Sequence, residues 1–178
     1  MRNVILYIAM SLDGYIAGPD GDISWLEGDT PDFAGDCGYS EFIKTISTVI
    51  MGYKTYEQIA CQLFPGAWPY SDLESYVITH RDIKDTDKIK FVSEPPVSLV
   101  EKLKFTEGRD IWICGGASII QPLLQAQIID EYHITIIPRL VGGGIRLFYA
   151  EHDIFKLRLY SIYEENGMVS LVYKNGRP

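Results

Sequence analysis

The chain has 178 residues, 16 basic and 24 acidic, with a formal net charge of −8 and 47% apolar content. One domain with a core that needs no staples is expected, and the acidic balance argues against nucleic acid or an anionic membrane as partner, since both demand clustered Lys and Arg. Three cysteines (Cys37, Cys61, Cys114) and three histidines (His80, His133, His152) are scattered without C-x-x-C or metal-ligand spacing. That pattern predicts reduced thiols, no metal centre and a cytoplasmic protein.

The opening run VILYIAMS, Val4 to Ser11, follows one arginine. Its apolar stretch of about seven residues is at the floor for a signal peptide. Its β-branched and aromatic residues suit a buried strand, and no later stretch approaches the roughly 20 apolar residues of a membrane span. A Gly- and Asp-rich loop follows to about Glu27. YSEFIKTI (Tyr39 to Ile46) reads as a helix, TVIMG as a short strand ending at Gly52, and YKTYEQIA as the next helix. ESYVITH (Glu74 to His80) and KIKFV (Lys88 to Val92) read as strands. Val97 to Lys104 reads as a helix opened by proline and followed by Gly108. DIWIC is a central strand, Ala117 to Gln127 a helix, DEYHITIIP a strand and VGGG a loop. IFKLRLYSIY and MVSLVYK close the chain as strands around the Asn-Gly signal of EENG. The expected fold is α/β: a doubly wound, mostly parallel sheet with an antiparallel C-terminal hairpin, whose ligands gather at the carboxyl ends of the strands.

Four strand ends carry unusual residues. In AMSLDGYIAGPDGDISW, small Ala9 and Ser11 leave the strand and Gly14, Gly18 and Gly21 loosen the loop, as in any surface turn. In IMGYKTYE, Gly52 ends a strand and Lys54 and Thr55 open a helix, whose free amides suit an anion as well as a Thr55 cap. In VITHRD, Thr79, His80 and Arg81 suit a phosphate monoester, or a solvated turn. In WICGGASI, Gly115 and Gly116 bare the backbone where a strand hands over to a helix beginning Ala117-Ser118, which suits a pyrophosphate. The G-x-G-x-x-G spacing of a Rossmann site is missing. Four successive ends with phosphate-suited chemistry count for more than any one.

IMGYKTYE and WICGGASI resemble the M-G-R-x-T-[WY]-E and I-x-G-G-x-x-[IVL] segments of dihydrofolate reductases. AMSLDGYIAGPDGDISW and DEYHITIIPRLVGGGIRLF resemble the branch that holds the C-terminal reductase domain of bifunctional riboflavin-biosynthesis enzymes and small stand-alone relatives. The similarity runs in order along nearly the whole chain. It implies a dihydrofolate reductase-like fold over residues 1–178 and NADPH extended across the strand ends. By that resemblance Gly52, Lys54, Thr55, Gly115, Gly116, Ala117 and Ser118 meet the pyrophosphate. Thr79, His80 and Arg81 meet the 2′-phosphate, and Ala9 and Gly18 flank the nicotinamide. Lys54 replaces the usual arginine, keeping the charge but not the bidentate fork. Trp25 matches the tryptophan that precedes the proton-assisting carboxylate, for which Asp36 is chosen over Asp32 and Glu41 by its distance from Gly52. An acid in a first helical turn is also an ordinary cap. Since the sequence opens at the reductase-like strand, no zinc deaminase half is expected.

Tyr7, Tyr15, Tyr39, Tyr53 and Tyr56 crowd the N-terminal third, as wall for a flat heterocycle or as plain core. His133, alternating with Ile134 and Ile136, reads as a structural histidine. The resemblance places PRLVGGGIRLF near a subunit contact, and the apolar C-terminal strands suit pairing, so a homodimer is expected. The expected activity is an NADPH-dependent reductase passing hydride to a C=N or C=O group of a small heterocycle or sugar. A ribosylaminopyrimidine phosphate is the runner-up substrate. The alternative is a non-catalytic dinucleotide- or drug-binding homodimer of the same fold.

Overall fold

The computed structural model describes residues 1–149 and 153–176; His152 lies outside them. Eight strands make one sheet: β1 (Val4–Ser11), β3 (Ile46–Gly52), β4 (Glu74–Ile78), β5 (Ile89–Val92), β6 (Asp110–Gly115), β7 (Glu131–Ile137), β9 (Leu157–Glu165) and β10 (Met168–Asn175). Their order is β5-β4-β3-β6-β1-β7-β10-β9. Every pairing from β5 to β7 is parallel, and β10 is antiparallel to both β7 and β9. The Asn166–Gly167 turn between β9 and β10 takes φ of 55° and 73°, as the Asn-Gly signal requires.

Side-chain alternation divides the core in two. On one face Val4, Leu6, Ile50, Ile111 and Ile113 pack with Leu99 and Leu103 of α3 (Pro96–Lys104) and Ile120 and Leu123 of α4 (Ala117–Gln125). On the other, Ile5, Val49, Met51 and Trp112 pack with Phe42 of α1 (Tyr39–Lys44) and with Tyr53 and Tyr56 of α2 (Tyr53–Gln58). Strands buried on both faces explain the near-continuous apolar runs of the sequence.

The boundaries differ from expectation in physically simple ways. Helix α1 stops at Lys44 because fully buried Ile46 already belongs to β3. Helix α4 stops at Gln125, and Gln127 takes a left-handed φ of 53°. Helix α2 continues into a π-helical turn at Ile59–Leu63. The N-terminal loop holds β2 (Tyr15–Ala17), which pairs antiparallel with β8 (Ile145–Arg146). Strands of three and two residues are too short to show any alternation in sequence.

Candidate site at the strand ends

Strands β3 and β6 are neighbours, with Met51 opposite Gly115. Their last residues therefore deliver α2 and α4 side by side. Gly52 and Gly116 are the N-caps of these helices and supply no side-chain capping bond, so first-turn amides are left for water or a ligand. A Cβ on Gly116 would stand 3.5 Å from Thr55 Oγ1, and one on Gly52 would stand 3.2 Å from Ile119 Cγ1. Gly115 takes φ of 125°, a conformation that favours glycine, and its peptide bond to Gly116 is cis. Gly52, Thr55 and Gly116 thus line one narrow crevice where two helix dipoles converge. Lys54 and Ser118 are exposed beside it, and Ala117 is buried.

Strand β4 lies beside β3 and ends at Ile78, placing the Thr79-His80-Arg81 tripeptide along the same rim. Thr79 is held by its N–H donating to Val92 O at 2.8 Å, and its Oγ1 accepts the Arg81 N–H at 3.1 Å. The Arg81 guanidinium lies 4.0 Å above the ring of Tyr53, the first residue of α2. Arg81 and His80 are exposed, and neither pairs with a carboxylate among the described residues. A stacked arginine with no carboxylate partner among the described residues, beside two uncapped helix starts, suits an anionic group.

Ala9 is half-buried on β1, opposite Thr135 of β7. Gly18 follows β2, with its N–H donating to Asp22 O at 2.7 Å. The loop between β7 and β8 presses on it: a Cβ on Gly144 would lie 2.3 Å from Ala17 O and 2.7 Å from Gly18 Cα. A clasp that the sequence reading overlooked ties these two loops together. Asp13 accepts from Ser11 Oγ at 2.6 Å, Val141 N at 3.1 Å and Gly142 N at 2.8 Å. The Ser11 bond and those two amides hold its acid down to about 2. The signal for it was a Ser and an Asp two residues apart at a glycine turn.

Asp36 is exposed and accepts the N–H groups of Gly38 (2.9 Å) and Ser40 (2.8 Å), so it caps the start of α1. Hydrogen bonds from Ser40 hold its carboxyl below the ordinary range. An ionised carboxylate with both oxygens engaged is a helix cap, not the buried, protonated acid expected of a proton donor. Trp25 is half-buried, its indole N–H donating to Asp22 O at 3.0 Å.

The tyrosines separate into groups. Tyr7 and Tyr39 have ring centroids 6.1 Å apart, Tyr53 and Tyr56 are 5.8 Å apart, and Tyr15 lies under the Arg146 guanidinium at 4.6 Å. Burial pushes the Tyr7 and Tyr70 phenols well above their ordinary value and the Cys114 thiol up to about 12, an unreactive sulfur. Among the described residues no helix is long and apolar enough to cross a membrane, and no three His, Cys, Asp or Glu residues are grouped to hold a metal.

Residues 2–169 match the family model of the RibD C-terminal domain. The chain is 39% identical to the uncharacterized protein YwjB of Bacillus subtilis, covering 97% of each. It superposes on the crystal structure of a putative riboflavin biosynthesis protein from Shewanella sp. PV-4 with a TM-score of 0.84 and 27% identity, covering 99% of this chain and 100% of that one. The fold also matches a diaminohydroxyphosphoribosylaminopyrimidine deaminase/5-amino-6-(5-phosphoribosylamino)uracil reductase from Thermotoga maritima, with a TM-score of 0.73, 17% identity, and 98% and 56% of the chains covered. The crevice of bare main chain between α2 and α4 therefore belongs to a member of the RibD C-terminal domain family.

Proposed function

We propose that the protein is an NADPH-dependent reductase acting on a C=N or C=O group of a small molecule. The observation that carries this reading is the meeting of two uncapped helix N-termini at Gly52 and Gly116, with Arg81 unpaired on the same rim. In this reading Gly52, Lys54, Thr55 and Gly115 to Ser118 hold the pyrophosphate through main-chain amides and dipoles. Thr79, His80 and Arg81 hold the 2′-phosphate, and Ala9 and Gly18 form the floor and lip for the nicotinamide. The bound coenzyme supplies the hydride, and the chain supplies orientation and shelter from water. The family membership and the riboflavin-pathway name of the Shewanella relative support the reductase class.

Fluorescence titration of NADPH and NADH tests the coenzyme. Arg81→Ala removes a charge-assisted contact of about 1.5–3 kcal/mol, so NADPH affinity should fall about 10- to 150-fold while NADH affinity holds. An unchanged preference between the two coenzymes refutes the phosphate assignment. A second reading, a dinucleotide- or drug-binding protein without turnover, draws on the exposed, capping position of Asp36. NADPH oxidation with a panel of pteridines, flavin precursors and carbonyls separates the two.

A homodimer belongs to the same proposal. Strand β9 is an edge strand, and Leu159 and Ile162 on it are 51% and 60% exposed, an apolar margin that a second copy would cover. Light scattering on the purified protein checks this, and a monomer at micromolar concentration overturns it.

A further inference from the structure

The buried side of α4 is apolar except at Gln121, which is 4% exposed. Burying an amide there costs desolvation that leucine or methionine would not cost. What the chain gains is a long-range bond: Gln121 Nε2 donates to Leu147 O at 2.5 Å.

Leu147 directly follows β8 and is fully buried, in one apolar cluster with Ile120, Leu123 and Leu124 of α4. Its N–H donates to Gly14 O at 3.0 Å, just ahead of β2. Strands as short as β2 and β8 do not hold themselves in place, so their position is set by what they are tied to. Asp13 ties them to the β7–β8 loop, and Gln121 ties them to α4. Ala17 pairs with Ile145, and Gly18, the lip assigned above to the nicotinamide, comes next in the chain. Apolar packing of Leu147 on α4 is non-directional and lets one surface slide on the other, whereas a hydrogen bond fixes the distance.

Gln121 lies five residues beyond Gly116, about 7.5 Å along the helix axis. The helix whose first turn faces the coenzyme crevice therefore also carries an anchor of the nicotinamide lip. Pro122, next in the chain, has no N–H for Ser118 O, so the first turn of α4 is one main-chain bond short. A side-chain brace at Gln121 steadies that turn as well as the lip.

We propose that Gln121 is a positioning residue for the coenzyme: by holding Leu147 O it fixes the β2–β8 lip at the height over α4 where Gly18 meets the nicotinamide. The proposal rests on the coenzyme reading above for its ligand; the anchoring of the lip stands on the geometry of Gln121 and Leu147.

The test variant is Gln121→Met, matched in length but without a donor. Gln121→Asn, whose amide falls one methylene short, is the second variant should the first not fold. Amide exchange in the ligand-free protein reads the lip. The Leu147 amide should exchange at least tenfold faster in the variant, while the Ile111 amide, bonded to Asn3 O in the central sheet, stays within twofold of wild type. A merely weakened fold would speed both. Calorimetric titration reads the coenzyme, with 2′-phospho-ADP-ribose as the probe that carries the phosphates but no nicotinamide. Its affinity should hold within twofold, while that of NADPH falls at least fivefold. An unchanged Leu147 amide, equal acceleration of both amides, equal loss of both ligands, or failure of both variants to fold each overturns the proposal. Wild-type protein that binds neither ligand sinks the coenzyme reading and the positioning role with it. Wild-type protein that binds both, with NADPH no weaker in the variant, sinks the positioning role alone.

Discussion

Gly116→Ala separates a glycine kept for a ligand from one kept for the fold. Gly116 has φ of −78° and ψ of −167°, extended backbone open to any residue, and the added methyl would meet only Thr55 Oγ1 at 3.5 Å, an ordinary contact. Alanine also lowers the entropy of the unfolded chain. Stability should change by less than about 1 kcal/mol, so the melting temperature should move by less than about 4 °C. The same methyl projects into the crevice between α2 and α4. Losing two amide bonds to a phosphate, each about 1.5–3 kcal/mol, should weaken NADPH binding by at least about 100-fold. Differential scanning calorimetry and NADPH fluorescence, run on the same preparation, supply both numbers. A fall of ten degrees or more would make Gly116 a structural glycine. Undiminished NADPH affinity would mean that the crevice holds no pyrophosphate.

Gly144→Ala is the opposite case: with φ of 118° and a methyl 2.3 Å from Ala17 O, it must part β2 from the β7–β8 loop. It should destabilise by about 2 kcal/mol or more, visible as a lowered thermal midpoint. Arg2 is 6% exposed and spends its guanidinium on Arg109 O, Leu103 O, Thr106 Oγ1, Ser47 Oγ and Thr48 Oγ1. Arg2→Ala strands these acceptors and should cost about 2–4 kcal/mol, roughly 5–15 °C in a melt. The acid of Asp13 is lowered from 3.8 to about 2 in the folded chain, so its contribution is complete above about pH 4 and fades as pH falls toward 2. The exchange protection of the Val141 and Gly142 amides, taken relative to the unfolded chain at each pH, should fall across that window, and Asp13→Asn should remove that fall.

The parallel strands and most helices were legible because β1, β3 and β6 are packed on both faces. VILYIAM and IWIC are apolar throughout, and Gly115-Gly116 and the Asn166–Gly167 turn announce themselves by residue type. The breaks between strand and helix at Gly52 and at Gly115-Gly116 were legible too, since an uncapped helix start at a strand end shows as bare residues whatever the neighbours. Asp36 went the other way. Helix capping and proton donation both want an acid before a helix, and only the amides of Gly38 and Ser40 on its two oxygens tell them apart.

The sequence by itself determined the order of the main strands and helices and the parallel sheet with its antiparallel hairpin, because periodicity and glycine placement are local properties. The tertiary structure alone decided what faces what. It set His133 beside Tyr7 from 126 residues away in register, closed Asp13 onto Val141 and Gly142, and left a groove open on the sheet beside α1. Such contacts depend on strand order and register, which no short stretch of the chain encodes.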